Sequence, residues 1–280
     1  MNITERIVQS PFYEITSVLD DFARLDYMKR ADEINDGSKN KPLPHEECLL
    51  NVRSYLIGVT SSFAYMHISI KHIQREHDEQ YFLADGYTEY GIYLYHYYVF
   101  IHGITTIHDL FFKLVAEICD IRISKHMIQW EELSKLLDEK GEHEIIRQLN
   151  EFYKTIKHHE KKRNTASHEG RLTHNLLDRY HITYIWSKVH LGNDVNENIH
   201  PEYTEGTNEN KYLLGNTKSE FIGELEALIE AAISHTYSLF DLLLPKLIGR
   251  MPQEFLNKHR QKFMDLQMQM EIINRVLAYI

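Results

Sequence analysis

Leu49, Val52, Leu56, Val59, Phe63, Met66 and Ile70 follow one another at alternating steps of three and four residues. That period places all of them on one face of an α-helix, whereas the faces of a β-strand repeat every second residue. The same rhythm returns along most of the chain. With 12 glycines and 6 prolines in 280 residues, breakers are scarce enough to favour long helices over many strands and turns. No strand-like alternation and no internal repeat stands against this. The expected fold class is all-α, a helical bundle of about seven or eight helices.

The spacing predicts a first helix over 11–30, with Phe12, Ile15, Leu19 and Phe22 on one face. The stretch "NDGSKNKPLPHEE" breaks it with Gly, Ser, Asn and two prolines. A long helix is expected from Glu46 to Gln80, closed by "ADGY", and a tyrosine-rich helix from Thr88 to Ile118. Helices over 129–139 and 142–160 flank the turn "EKGE", and a further helix is expected to start near Asn164 and reach Val189. Residues 191–218 are rich in Asn, Gly and Glu and lack a period, so a structureless connection is expected there, placed to act as a lid or substrate gate. Ser219 is expected to cap a helix that Pro245 ends. Pro252 is expected to open a final amphipathic helix over 252–278. These elements are expected to form a single helical domain over 1–280, with a core from 46 to 245 and the helices 11–30 and 252–278 as additions.

The formal net charge is −10, which argues against a protein that coats nucleic acid generally. It leaves room for one local basic site, because charges more than about 10 Å apart are nearly independent at ~0.1 M salt. Cys48 and Cys119 have no metal-ligand spacing, and the absence of a disulfide framework points to a cytoplasmic location. The opening "MNITERIVQSPFYEI" carries Glu5 and Arg6 and no apolar run, so it is not read as a signal peptide. From Tyr90 to His108, "YGIYLYHYYVFIHGITTIH" contains no Asp, Glu, Lys or Arg. Its histidines, threonines and tyrosine hydroxyls would each need a partner in hydrocarbon, so a buried central helix of a soluble protein is expected, with no membrane. Tyr90, Tyr93, Tyr95, Tyr97 and Tyr98 surround that helix rather than lining one stripe. They are read as core or subunit interface, with base stacking as the other use.

Eighteen histidines raise the question of a metal. Bundle metal sites place Glu-x-x-His or His-x3-His on one helix face. The chain offers one Glu-x-x-His, Glu197–His200, beside Pro201 in the Asn-rich stretch, and no His-x3-His. His96, His102 and His108 recur every six residues and so turn about a helix instead of converging. No metal site is expected. There is also no Gly-rich phosphate loop and no nucleophile motif, so no cofactor is expected.

One stretch does carry chemistry. Residues 161–171 read "KKRNTASHEGR". From Lys154 to Arg171 the chain has Lys154, Lys157, Lys161, Lys162, Arg163 and Arg171 against Glu160 and Glu169, a cationic island in an acidic protein. Phosphate binding needs such an island. With a helix starting near Asn164, Asn164 and His168 would share a face one turn apart. Arg163 would then sit at the N-terminus, where free N–H groups and the dipole favour an anion. An arginine fork can hold a phosphodiester, and an imidazole can move a proton near neutrality. His158 and His159 directly precede the motif and are read as a solvated face, while His174 and His181 are read as core or surface.

"RNTASH" resembles the Arg–polar–x3–His signature of the HEPN superfamily, whose members are all-α and commonly dimeric. The wider chain is similar to a bacterial HEPN group of uncharacterised proteins. At the level of fold the resemblance covers about 46–245. It implies a metal-independent RNA endonuclease, in which the ribose 2′-OH attacks its own phosphate to leave a 2′,3′-cyclic phosphate and a 5′-OH. On that analogy His168 is the acid/base group, Arg163 stabilises the charged transition state, and Asn164 holds the polar position after the arginine. Lys161, Lys162 and Arg171 would attract the RNA backbone. The site would be completed across a homodimer two-fold, in a toxin, defence or RNA-processing role, with an antitoxin or regulatory partner. The alternative is a non-catalytic helical module for dimerisation or partner binding.

Overall fold

The all-α expectation holds in a computed structural model. It describes residues 3–33, 41–75, 89–122, 128–169, 172–190 and 201–265, with the side chains at 89, 168–169, 184–190, 201–214 and 261–265 outside that description. Among the described residues there are nine helices and no strand. In chain order they are α1 (Ile3–Val8), α2 (Pro11–Glu33), α3 (Pro44–Gln74), α4 (Glu89–Ile118), α5 (Trp130–Glu139), α6 (His143–Glu169), α7 (Asn175–His190), α8 (Pro201–Gly249) and α9 (Gln253–Asp265).

Local chemistry sets several boundaries. At the start of α2, the Ser10 hydroxyl accepts the Tyr13 N–H at 3.3 Å, and Pro11 takes the first helical position, where no N–H is needed. At the start of α3, Pro44 plays the same part and the Glu46 carboxylate reaches back to accept the Leu43 N–H at 2.7 Å. The "EKGE" turn is a glycine-terminated helix end. Gly141 adopts φ +74°, and the Glu142 N–H donates back to the Leu137 carbonyl at 2.9 Å.

Three expectations fail. No new helix begins near Asn164: α6 runs unbroken from His143 to Glu169, because the charged run contains no Gly or Pro and Lys, Arg and Glu favour helix. The structureless connection does not extend over 191–218. Residues 201–218 belong to α8, which begins at Pro201 rather than at a Ser219 cap, and 191–200 lie outside the described residues. Nor does Pro245 end that helix, which continues to Gly249. Helix α1 was not expected, α3 stops at Gln74, and of the final helix 253–265 is described.

Contacts gather the chain into two compact units, Met1–Ala64 with Thr106–Lys154 and Ala232–Ile280, and Tyr65–Thr105 with Thr155–Ala231. In the first, Leu49, Val52, Leu56, Val59 and Phe63 are all fully buried, as their period requires. Phe12 stacks on Phe240 with centroids 4.6 Å apart. A Cβ on Gly58 would lie 2.8 Å from Leu110 Cδ1, so glycine lets α3 and α4 approach closely there. Cys48 and Cys119 are buried, and burial pushes their thiols up to about 12 and about 11.

The same unit holds two buried carboxylates. Glu46 accepts Arg30 Nη1 at 2.7 Å and a second bond from Nη2, while Asp26 lies 2.7 Å from Lys258 Nζ and 2.9 Å from His259 Nε2. Burial pushes both carboxyls up, but these bonds outweigh it and hold them below the ordinary carboxylate value. Arg30→Ala would strand the Glu46 carboxylate with the Leu43 N–H as its remaining donor. The expected loss, read from urea unfolding, is about 1–3 kcal/mol, and the Glu46 carboxyl should titrate higher.

In the second unit, Tyr93, Tyr97, Phe100, Ile101 and Ile104 of α4 are buried, whereas Tyr95 is 62% exposed. The tyrosine run therefore supplies core on one side and surface on another, as expected of tyrosines that surround a helix. Among the described residues, Tyr90–Ile118 and Gly215–Gly249 are long and apolar enough to cross a membrane. Of the most apolar stretch of each, 61% and 44% is buried in the protein, and core helices of soluble proteins share this length and composition.

Candidate functional site

All the described groups around the motif belong to the second unit. Because α6 is continuous, positions 163 and 168 are turned about 140° apart around its axis with a rise of about 7.5 Å. Both sit in its last turns, near the negative end of the helix dipole. The anion site expected from a helix N-terminus at Asn164 is therefore absent.

Arg163 is half-buried, and its guanidinium is anchored by its neighbour. Nε and Nη2 donate to the Asn164 Oδ1 at 3.2 and 3.1 Å. Asn164 thus orients the arginine. Arg163 also stands close enough to His102 for its charge to add to burial in lowering that imidazole's pKa. His102 Nε2 is buried and meets no hydrogen-bond partner among the described residues. The side chain of His168, and Arg171 altogether, lie outside the described residues.

A different face of α6 opens onto a cleft of about 210 Å³, lined by His158, Lys161, Lys162, Thr165 and Thr173. The first four are spaced i, i+3, i+4 and i+7, the signature of a single helix face, and that spacing was present in the sequence. Thr173 comes from the segment leading into α7. Lys161 and Lys162, expected as helpers of the motif, therefore line a cleft of their own, facing away from position 163.

Beneath the cleft is a buried polar cluster. Lys162 Nζ lies 5.5 Å from the centre of the Tyr97 ring, and Tyr97 Oη is 3.4 Å from His159 Nδ1. His174 caps α7, its Nδ1 accepting the Leu176 N–H at 3.3 Å. That bond requires an unprotonated Nδ1, so the proton sits on Nε2, 3.4 Å from Glu224 Oε2. The His174 ring packs edge-on against Tyr97 and Phe221 at 4.8 and 4.7 Å.

No family model, curated protein or solved structure matches the chain. The resemblance to HEPN proteins drew on the six-residue motif, the all-helical pattern and the motif's place at a helix start, and the last of these does not hold, since the motif lies at a helix end.

Electrostatics follow from this packing. Burial, then the Lys162 charge, holds His159 down to about 4 and His174 down to about 3, so both are neutral at pH 7. Burial also lowers Lys162, with Glu224 and Asp178 pulling it partly back up. Burial raises Tyr97 well above the ordinary phenol value. His159 is not the solvated histidine that sequence reasoning expected, whereas His174 takes the core place that was one of its two expected positions. Among the described residues, no group of three or more His, Cys, Asp or Glu could hold a metal ion.

Proposed function

We propose that this protein is a metal-independent RNA endonuclease of the HEPN type, working as a cytoplasmic homodimer in a toxin, defence or RNA-processing role. The observation that carries the reading is the Arg163 fork. It is half-buried and held by the Asn164 carboxamide, on the helix whose opposite face carries Lys161 and Lys162. A guanidinium fixed in this way suits bidentate contact with a phosphodiester. In the reaction the 2′-oxygen forms a bond to phosphorus as the bond from phosphorus to the 5′-oxygen breaks. The 2′-OH proton leaves to a base, and a proton is delivered to the departing 5′-oxygen. His168 is the residue given the proton transfers, and Arg163 the stabilisation of the crowded charge. The angle between positions 163 and 168 suits a site closed by a second copy, each protomer supplying one pair. Leu25, Met28, Leu50 and Ile57 are exposed apolar residues that such a partner, or an antitoxin or regulatory protein, could cover.

Mixed cellular RNA incubated with the purified protein in EDTA tests the reading. Wild type should cleave and leave cyclic-phosphate ends, and Arg163→Ala and His168→Ala should not, with all three equally folded. Absence of cleavage by wild type would favour the second reading, a non-catalytic dimerisation or partner-binding module. One observation supports that alternative: the motif lies at the negative end of α6, where an anion is disfavoured.

A further inference from the structure

We infer that the cleft lined by His158, Lys161, Lys162, Thr165 and Thr173 is a binding site for a phosphoryl group, separate from the Arg163–His168 motif and able to work without it. Three observations converge on this site. The cleft brings together two ammonium groups, two hydroxyls and an imidazole, which as a set can donate to every oxygen of a phosphate; among the described residues no carboxylate lines it, and Glu224 and Asp178 act on Lys162 from beyond ion-pairing distance. Lys162 is half-buried over the Tyr97 ring, and among the described residues no carboxylate stands within ion-pairing distance of it. A bound anion would offset the hydration that such a cation loses on leaving water.

The third observation is the start of α7 at Asn175, two residues after Thr173. The positive end of that helix opens beside the cleft. Sequence reasoning sought a helix N-terminus for the phosphate at Asn164. The fold supplies one at Asn175 instead and surrounds it with other residues. His174, next to Thr173 in the chain, caps that helix with its Nδ1 and presents Nε2 to Glu224.

The phosphoryl group could belong to a polynucleotide backbone or to a small phosphorylated molecule, and calorimetric titration of the full chain separates the two. The probes are inorganic phosphate, adenosine 5′-monophosphate, and a short oligoribonucleotide methylated at every 2′-oxygen, which cannot be cut by 2′-OH attack. Lys162→Met keeps the stem over Tyr97 and removes the charge. The double variant Lys161→Ala/Thr165→Val leaves the Tyr97 contact untouched, so it serves if Lys162→Met misfolds. Lys154→Ala, on the same helix but paired with Glu151 at 2.7 Å, is the control.

Affinity should fall about tenfold or more in the cleft variants and stay within about twofold in the control. Loss confined to the oligonucleotide assigns a backbone phosphate, and loss shared by the monophosphate assigns a small ligand. No binding of any probe by wild type, or equal affinity across the variants, overturns the site. Because Arg163 and His168 are unchanged and no probe can be cleaved, a failed nuclease reading leaves this result intact.

Discussion

Acidification from pH 7 to pH 5 should destabilise the unit that holds the cleft more than the other. His159 and His174 titrate near 6.5 in the unfolded chain but are held to about 4 and about 3 in the fold. A base with a depressed native pKa favours the fold while it stays neutral. That stability is fully present above the unfolded value and is lost as the pH falls from 6.5 towards the folded value, because the unfolded chain binds protons that the native one refuses. By pH 5 the loss should reach about 2 kcal/mol for each histidine.

Lys162 and His158 add positive charge around them and oppose protonation, while Glu224, 3.4 Å from His174 Nε2, works the other way. In the first unit the carboxylates Glu46 and Asp26 are held below the ordinary carboxylate value, and burial lowers His45 and His235 less than it lowers His159 and His174, so its loss over this range should be the smaller one. Hydrogen exchange at the two pH values, resolved by peptide, would show protection falling first in α7 and the middle of α6. His174→Asn keeps a capping oxygen for the Leu176 N–H and removes the titration, so it should reduce the loss by about half. Equal protection at pH 5 and pH 7 in the wild type would refute the assignment.

The second large effect is expected at Tyr97. Its ring is fully buried and meets His174, Phe221, His159 and Lys162. Tyr97→Ala removes that packing at once and should lower stability by about 3–5 kcal/mol in urea unfolding. Tyr97→Phe keeps the ring and loses only the 3.4 Å contact with His159, so about 0.5–1.5 kcal/mol is expected, at the lower end for so long a bond. A Phe variant as damaged as the Ala variant would mean that the hydroxyl, not the ring, organises this unit.

Comparison of these residues with the sequence shows where local pattern stops being informative. Helices α2, α3, α4 and α5 were readable because each carries a period of three and four, bounded by a proline, a serine cap or a glycine end. The boundary inside α6 was misread because a dense charge run resembles a surface break, although lysine, arginine and glutamate are good helix formers. Pro245 removes one hydrogen bond without ending α8, a case of surrounding packing outweighing a local cost. Nothing in the composition of 201–214 explains why that stretch is helical.

At the site, Arg163 and Asn164 were legible as neighbours. The four spaced residues lining the cleft from α6 were visible in principle as a helix face. The cluster below them was not, since Tyr97, His159, His174 and Glu224 come from separate parts of the chain, and no local spacing records that they meet.

The two native thiols have a practical consequence. Cys48 and Cys119 are the only cysteines in the chain; both are enclosed, and each has a pKa well above that of a free thiol. Near neutral pH their reactive thiolate is reduced by about two to three powers of ten relative to an exposed cysteine, and reagents must also reach them through the core. The native chain is therefore nearly silent towards maleimides. A single cysteine introduced at an exposed position such as Ser54 would take a fluorophore or spin label by itself, with both natural cysteines left in place.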